Sequence, residues 1–438
     1  MAENTRSMIN RYFKLDENQT SVKTEVIAGL TTFVTMAYII FVNPEILSNA
    51  GMDKGAVFVA TCLASALATL LMGTISNYPI ALAPGMGVNA FFTYTVVQSL
   101  GHSWEVALGA VFLAGAVFLV ISAFPIREVI FNAIPKSQKT AISVGIGFFL
   151  GIIALTNMNI IVAHPATLVT LGDMTEPTAM MSLLCFFTIV VLSYYQVPGA
   201  ILIGILVITL IGSVLGLNEF VGLVSTPPSV APVFFELDLA GALELSMVGV
   251  ILAFLFVHMF DTAGTLVSVA RNADLMDEKD QLPRLNKVLL SDSSSMMAGA
   301  AIGTSPVTTY IESVSGIKAG GRTGLTAVVV ALLFLVSIAF SPLANSIPTF
   351  ATGPALLFVA CMMIKDIASL DWDDMSEYIP AIVVIIIMPM SFSISEGIAF
   401  GFISYTALKL LTGKAAQLNL TLVITTILFL LKYAFLEV

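Results

Sequence analysis

The sequence predicts an all-α integral membrane protein of fourteen transmembrane spans. Three observations predict it: an apolar composition, a series of apolar runs long enough to cross a bilayer, and the segregation of lysine and arginine to alternate loops. Of the 438 residues, 58% are hydrophobic and 11% charged, against roughly 25% charged in a soluble domain. A chain this long cannot hide so much apolar surface inside a water-soluble core. A bilayer removes the conflict.

The apolar segments fall at 24–43, 55–76, 82–98, 104–124, 138–156, 178–194, 199–216, 244–268, 286–303, 304–317, 323–341, 350–364, 379–392 and 395–411. A further segment, 418–436, is also long enough to span, and the pattern does not place it. With the N-terminus inside and the loops alternated, every lysine and arginine except Lys54 and Lys432 falls on the inner side, from Arg6 through Arg127 and Lys279 to Lys414. The two long loops assigned to the outer side, 157–177 and 217–243, carry neither residue type. One missed or invented span would scramble this order downstream.

Net charge is −10 and basic patches are absent, which excludes a nucleic-acid partner. Cys62, Cys185 and Cys361 lie in apolar runs and read as packing residues. No signal peptide is expected, because the first 23 residues are polar and the run that follows is too long for one. No metal-ligand cluster, nucleophile–base pair or cofactor motif is present, so neither an enzyme nor a cofactor is expected. Asp261-Thr-Ala-Gly mimics part of a GTPase motif but lies in a span, and the phosphate-binding loop pattern is nowhere in the chain.

Two spans are interrupted. Span three reads Ala81-Leu-Ala-Pro-Gly-Met-Gly-Val-Asn-Ala-Phe-Phe, and span ten with its approach reads Ala301-Ile-Gly-Thr-Ser-Pro-Val-Thr-Thr-Tyr-Ile-Glu. Each places proline, glycine and hydroxyl residues at membrane depth, followed by a polar side chain, Asn89 or Glu312. Pro84 and Pro306 stand about half the chain apart. Broken backbone is tolerated in a bilayer only where protein buries it or it lines a wet cavity. A matched pair in two halves points to a transporter made of inverted repeats, with its site between the breaks. Seven spans per half gives the halves opposite topology.

Asp261 lies well inside span eight. An acidic residue there costs on the order of 2.5–3.5 kcal/mol on insertion scales, so it marks a cavity and a function. Glu312 is the second such group. His258 shares a helical face with Asp261 and could relay protons, although a lone histidine in an apolar helix is more often a packing residue. Glu25 and Glu396 stand near span ends and read as interfacial.

The chain resembles the AzgA-type purine permeases of the nucleobase–cation symporter-2 group. The resemblance is carried by Gly29-Leu-Thr-Thr-Phe-Val-Thr-Met-Ala-Tyr-Ile, Asn43-Pro, Ala83-Pro-Gly-Met-Gly-Val-Asn-Ala-Phe-Phe, Met259-Phe-Asp-Thr-Ala-Gly-Thr-Leu, Gly303-Thr-Ser-Pro-Val-Thr-Thr-Tyr-Ile-Glu-Ser and Gly320-Gly-Arg-Thr-Gly-Leu-Thr. It implies a uracil-permease-like fold of two intertwined seven-span inverted repeats, preceded by a cytoplasmic tail over 1–23. A core domain would comprise 24–124 (spans 1–4) and 244–341 (spans 8–11). A gate domain would comprise 125–243 (spans 5–7) and 342–438 (spans 12–14 and the extra segment). The function implied is proton-coupled import of a purine nucleobase across a bacterial inner membrane. An elevator-like movement and a homodimer are implied with it. Guanine and hypoxanthine are favoured slightly over adenine, and an anion carrier or a channel is the more distant alternative.

Family positions carry over to Asn89, Asp261 and Glu312. Phe91, Thr265, Thr309 and Tyr310 stand beside them as further substrate-site candidates. An ionised carboxylate accepts two parallel N–H bonds and suits the N–H edges of a purine. Glu312 is expected to be the main base-binding group and Asp261 the second contact and proton site, and the two roles can be exchanged.

Overall fold

A computed structural model describes residues 2–123, 134–272, 275 and 282–435. Arg127 and Lys279, assigned above to the inner side, lie outside the described residues, as does the expected domain boundary at 124–125. Among the described residues, eight helices are long and apolar enough to cross a membrane by length and composition, and four shorter apolar helices accompany them. The protein is a multi-pass helical membrane protein.

Local chemistry sets the helix boundaries. Ser21 accepts from Thr24 N and Asp53 from Ala56 N, capping Val22–Met36 and Lys54–Leu71 with otherwise orphaned donors satisfied. The first span, Val22–Ser48, is two helices joined at Ala37–Tyr38, with Pro44 inside the second. Lys54–Leu71 continues through a wider π-type turn, Met72–Ser76, and stops at Asn77 in a left-handed conformation (φ 54°).

Among the described residues, the same succession of main elements occurs twice. Two helical segments are followed by a short strand with a short helix, then by four longer helices. In the first half these are Val22–Ser48, Lys54–Ser76, strand β1 (Leu82–Pro84) with Met86–Ala90, Trp104–Ala123, Lys136–Asn157, Pro177–Tyr194 and Ala200–Val214. In the second they are Val248–Asn272, Leu285–Ile302, a strand with Ser313–Lys318, Gly324–Ser337, Thr349–Ile364, Met375–Ser391 and Ile394–Leu411. An exposed hairpin of β2 (Ile161–His164) and β3 (Leu168–Leu171) decorates the loop 157–177, and the strand of the second half is β4 (Val307–Thr309).

The expected breaks in spans three and ten are the strands β1 and β4. They pair antiparallel, with Leu82 opposite Thr309, Ala83 opposite Thr308 and Pro84 opposite Val307. Gly85 N donates to Pro306 O at 2.9 Å and Tyr310 N to Ala81 O at 3.0 Å. Every residue of both strands is buried. The pairing satisfies backbone groups that a broken helix would otherwise leave orphaned at membrane depth. Pro84 and Pro306 have no N–H to donate, so the ladder stays short.

Helix packing falls into two groups. Gly324–Ser337 lies against Val22–Met36 and Lys54–Leu71, and Leu285–Ile302 lies against Trp104–Ala123 and Lys54–Leu71. Separately, Thr349–Ile364 and Met375–Ser391 lie against Lys136–Asn157, and Met375–Ser391 also packs on Ile394–Leu411. The segment left unplaced above is the helix Leu420–Phe435. It packs on Ile394–Leu411 through Thr406–Thr426, Phe402–Phe429 and a hydrogen bond from the Tyr433 hydroxyl to Glu396.

Three charged groups refine the sequence reading. Lys54, one of the two exceptions to the charge pattern, is neutralised by Glu45 at 2.6 Å. Glu25 is not interfacial but fully buried. It accepts from Arg322 N (2.9 Å) and Thr326 Oγ1 (2.6 Å), so a carboxylate of span one sits at the start of Gly324–Ser337. Lys409 is also fully buried and pairs with Glu377 Oε1 at 2.6 Å, with Ser376 and Gln417 completing its donors. Replacing Lys409 with Met would strand the Glu377 carboxylate. The expected loss is about 3 kcal/mol, the low end for a broken buried pair because Glu377 keeps some solvent contact. Thermal unfolding in detergent checks it, and an unchanged midpoint would refute it.

Candidate functional site

The crossing of β1 and β4 brings together residues that the sequence spaces across the chain. Glu312 occupies the N-cap position of Ser313–Lys318, but its side chain does not cap that helix. Its Oε1 accepts from the Tyr38 hydroxyl at 2.6 Å. Tyr38 itself is buried at the junction of the two helices of span one. Asp261 belongs to Val248–Asn272 and lies beside the end of β1, where a Cβ built on Gly85 would be 3.5 Å from its Oδ2. Asp261 is within electrostatic reach of Glu312, His258 and Asp292. Both Asp261 and Glu312 keep partial exposure although surrounded by spans, and neither has a lysine or arginine partner among the described residues.

Asn89 is fully buried. Its Oδ1 accepts from Ser305 Oγ at 2.5 Å, and Ser305 also reaches Asn43 Oδ1 at 3.2 Å. Asn43 Nδ2 in turn donates to Thr61 (2.7 Å) and Thr304 (2.9 Å). A chain of amides and hydroxyls therefore ties span one to both breaks. Asn89 Nδ2 has no partner among the described residues, nor does Thr309 Oγ1. A buried donor without a partner costs about 1–3 kcal/mol, a debt that a polar ligand can settle.

The other candidates are placed as follows. Tyr310 is buried and donates to Pro84 O at 2.5 Å, which fixes the end of β1. Phe91 is fully buried with its ring edge-on to Phe254, centroids 4.8 Å apart. Thr265 lies one turn beyond Asp261 on the same helix and is partly exposed.

Two residues were missed. Asp292, fully buried on Leu285–Ile302, pairs with His258 Nε2 at 2.8 Å and accepts from Thr262 Oγ1 at 2.8 Å. Thr262 also reaches Thr308 of β4 at 3.0 Å, so this group abuts the strand pair. Asp292 lies in Ser291-Asp-Ser-Ser-Ser, inside the expected span 286–303, and was not singled out. The cost argument applied to Asp261 would have flagged it. Tyr38 was quoted only as part of a motif, because a tyrosine in an apolar span looks like packing. Among the described residues no group of three or more His, Cys, Asp or Glu could hold a metal ion.

Comparison with known proteins places this arrangement. Residues 23–400 match the model of the Permease family. The adenine permease AdeP of Escherichia coli is 47% identical, covering 99% of this chain and 97% of its own. The guanine/hypoxanthine permease PbuG of Bacillus subtilis is 42% identical, covering 97% and 99%. Among solved structures, the transmembrane domain of the cyanobacterial bicarbonate transporter BicA superposes with a TM-score of 0.64 at 14% identity, covering 86% of this chain and 97% of that one. That likeness concerns the fold alone. The matched family spans both breaks, Asp261 and Glu312, and the full-length relatives are permeases: the chain belongs to the Permease family and is a membrane transporter, not an enzyme.

Proposed function

We propose that the protein is a purine nucleobase permease that imports its base together with protons. The observation that carries this reading is the pair of carboxyl groups, Asp261 and Glu312, standing beside the strand crossing without a cationic partner among the described residues. A purine presents N–H donors and ring-nitrogen acceptors on a flat neutral body. Carboxylates accept from its N–H groups, while Asn89 Nδ2 and the Thr309 hydroxyl supply donors and an acceptor. Adenine and guanine/hypoxanthine permeases among the full-length relatives support the same class of cargo.

Which purine is a narrower matter. The sequence alone leans to guanine and hypoxanthine, whereas the higher identity to AdeP than to PbuG favours adenine as a second reading. Uptake of radiolabelled bases by cells lacking their own purine carriers, competed with adenine, guanine, hypoxanthine, xanthine and uracil, separates them. If no purine competes, the purine reading falls.

Proton coupling rests on the same cluster. Asp292 and Glu312 both lie within electrostatic reach of Asp261, and anions on all three would repel one another. A proton carried among them relieves that repulsion, and His258 beside Asp292 offers a neighbouring acceptor. Asp261→Asn is expected to abolish the pH dependence of uptake. A variant that transports with the parental pH profile would overturn the assignment.

In this reading the repeated order of elements reflects two inverted repeats. The first packing group is the core that carries substrate, and the second is the gate against which it moves as an elevator. The N-terminus faces the cytoplasm of the cell membrane, and the working unit is a homodimer. Cysteine cross-linking between the groups, in apo and substrate-loaded protein, tests the movement.

A further inference from the structure

Glu312 has two oxygens, and the fold treats them differently. Oε1 accepts from Tyr38 at 2.6 Å, a short bond of the kind formed to a charged acceptor. No hydrogen bond from another residue reaches Oε2 among the described residues. The glutamate does not cap its own helix, and the local contact it makes is to its own backbone N–H. Tyr310, the other phenol nearby, is committed to Pro84 O. The orientation of Glu312 therefore depends on Tyr38, which reaches it from a different span across 274 residues of sequence. Tyr38 is itself enclosed. Its ring is buried to 1% exposure, and it sits where span one passes from one helix to the next.

We propose that Tyr38 is a positioning residue that sets base selectivity, by holding Oε1 so that Glu312 meets its cargo chiefly through Oε2. This rests on the purine reading of the site. A carboxylate free at both oxygens prefers an edge with two adjacent N–H donors, as on guanine (N1–H and the exocyclic amine). With one lone pair of Oε1 taken by the tyrosine hydroxyl, that preference is weakened. The disadvantage of an edge that offers one N–H beside an acceptor, as adenine and hypoxanthine do, is correspondingly smaller. Tyr38 thus narrows the advantage that guanine would otherwise enjoy.

The test is uptake kinetics and competition for Tyr38→Phe, which keeps the ring and removes the hydroxyl. The ratio of guanine to adenine inhibition constants should shift toward guanine by about tenfold, the worth of one charge-assisted hydrogen bond. KM for the transported base should change more than kcat. The unfolding temperature in detergent, measured alongside, reports the structural cost. Equal loss for all bases, with the ratio unmoved, would mean a structural role only and overturns the proposal. Should Y38F fail to fold, 3-fluorotyrosine at position 38 keeps the shape and changes only the strength of the hydroxyl as a donor. An unmoved ratio in that folded protein overturns the proposal equally. A parent protein that takes up no purine overturns the functional reading and this inference together. A parent that takes up purine, with the ratio unchanged in Y38F, overturns this inference alone.

Discussion

Glu312→Gln is expected to weaken binding of the transported base by about 100-fold. The carboxylate offers acceptors on both oxygens, whereas the amide replaces one of them with a donor. That donor would face an N–H of the base, so a charge-assisted bond worth about 1.5–3 kcal/mol is lost and two donors are opposed. Each 1.36 kcal/mol is a factor of ten. The fold should survive, because the Gln oxygen can still accept from Tyr38. Equilibrium binding of labelled base to purified protein checks both parts. Wild-type affinity in a folded variant would remove Glu312 from the site. Glu312→Asp should fall between, since the carboxylate is kept but withdrawn from Tyr38.

Gly324→Ala is expected to have the largest effect on folding. A Cβ built on Gly324 would sit 1.8 Å from the backbone oxygen of Gly73, and one built on Gly73 would sit 2.6 Å from the oxygen of Gly324. Here the helix Gly324–Ser337 crosses the end of the second span with backbone against backbone, and no side chain can yield. The added methyl must push the two elements apart. Overpacking usually costs about 1–3 kcal/mol, and the value is higher where main chain has to move. Loss of most folded protein in detergent is the expected result. Gly151→Ala is the control: its Cβ would meet only Ala360 at 3.9 Å, so stability should be unchanged or slightly raised. If both variants unfold alike, the close approach is not what makes Gly324 necessary.

Much of the architecture was legible because a bilayer imposes simple rules. Apolar length marks spans, and lysine and arginine sort by side. The two breaks could be read because Pro84-Gly and Ser305-Pro contradict a spanning helix. Asp261, Glu312 and Asn89 stood out because each is costly in lipid. What could not be read was partnership. Nothing in the spacing says that Tyr38 meets Glu312, or that Asp292 meets His258, since those contacts depend on how separate spans cross. Glu25 was misjudged for the same reason. A carboxylate near a span end resembles an interfacial one until the helix that it caps is in view. Lys409 and Glu377 neutralise one another through tertiary packing, so neither could be assigned a partner in advance.

The strand pair also has a consequence for how the protein is made. Leu82 of β1 finds its partner only at Thr309, so β1 enters the membrane long before β4 has been synthesised. During that interval Thr69 Oγ1 can already serve Leu82 N and O, but the backbone groups that bond to the second half, Ala81 O and Gly85 N among them, face a medium that offers no water to satisfy them. The nascent first half must keep this short edge sheltered, in a wet crevice or against the insertion machinery. Strand pairing then closes a loop that takes in about half the polypeptide, a step that is slow because its entropy is paid before any contact repays it. The candidate site at the strand pair is thus among the last parts of the molecule to form. A chain truncated before Val307 should be inserted yet remain a target for quality control.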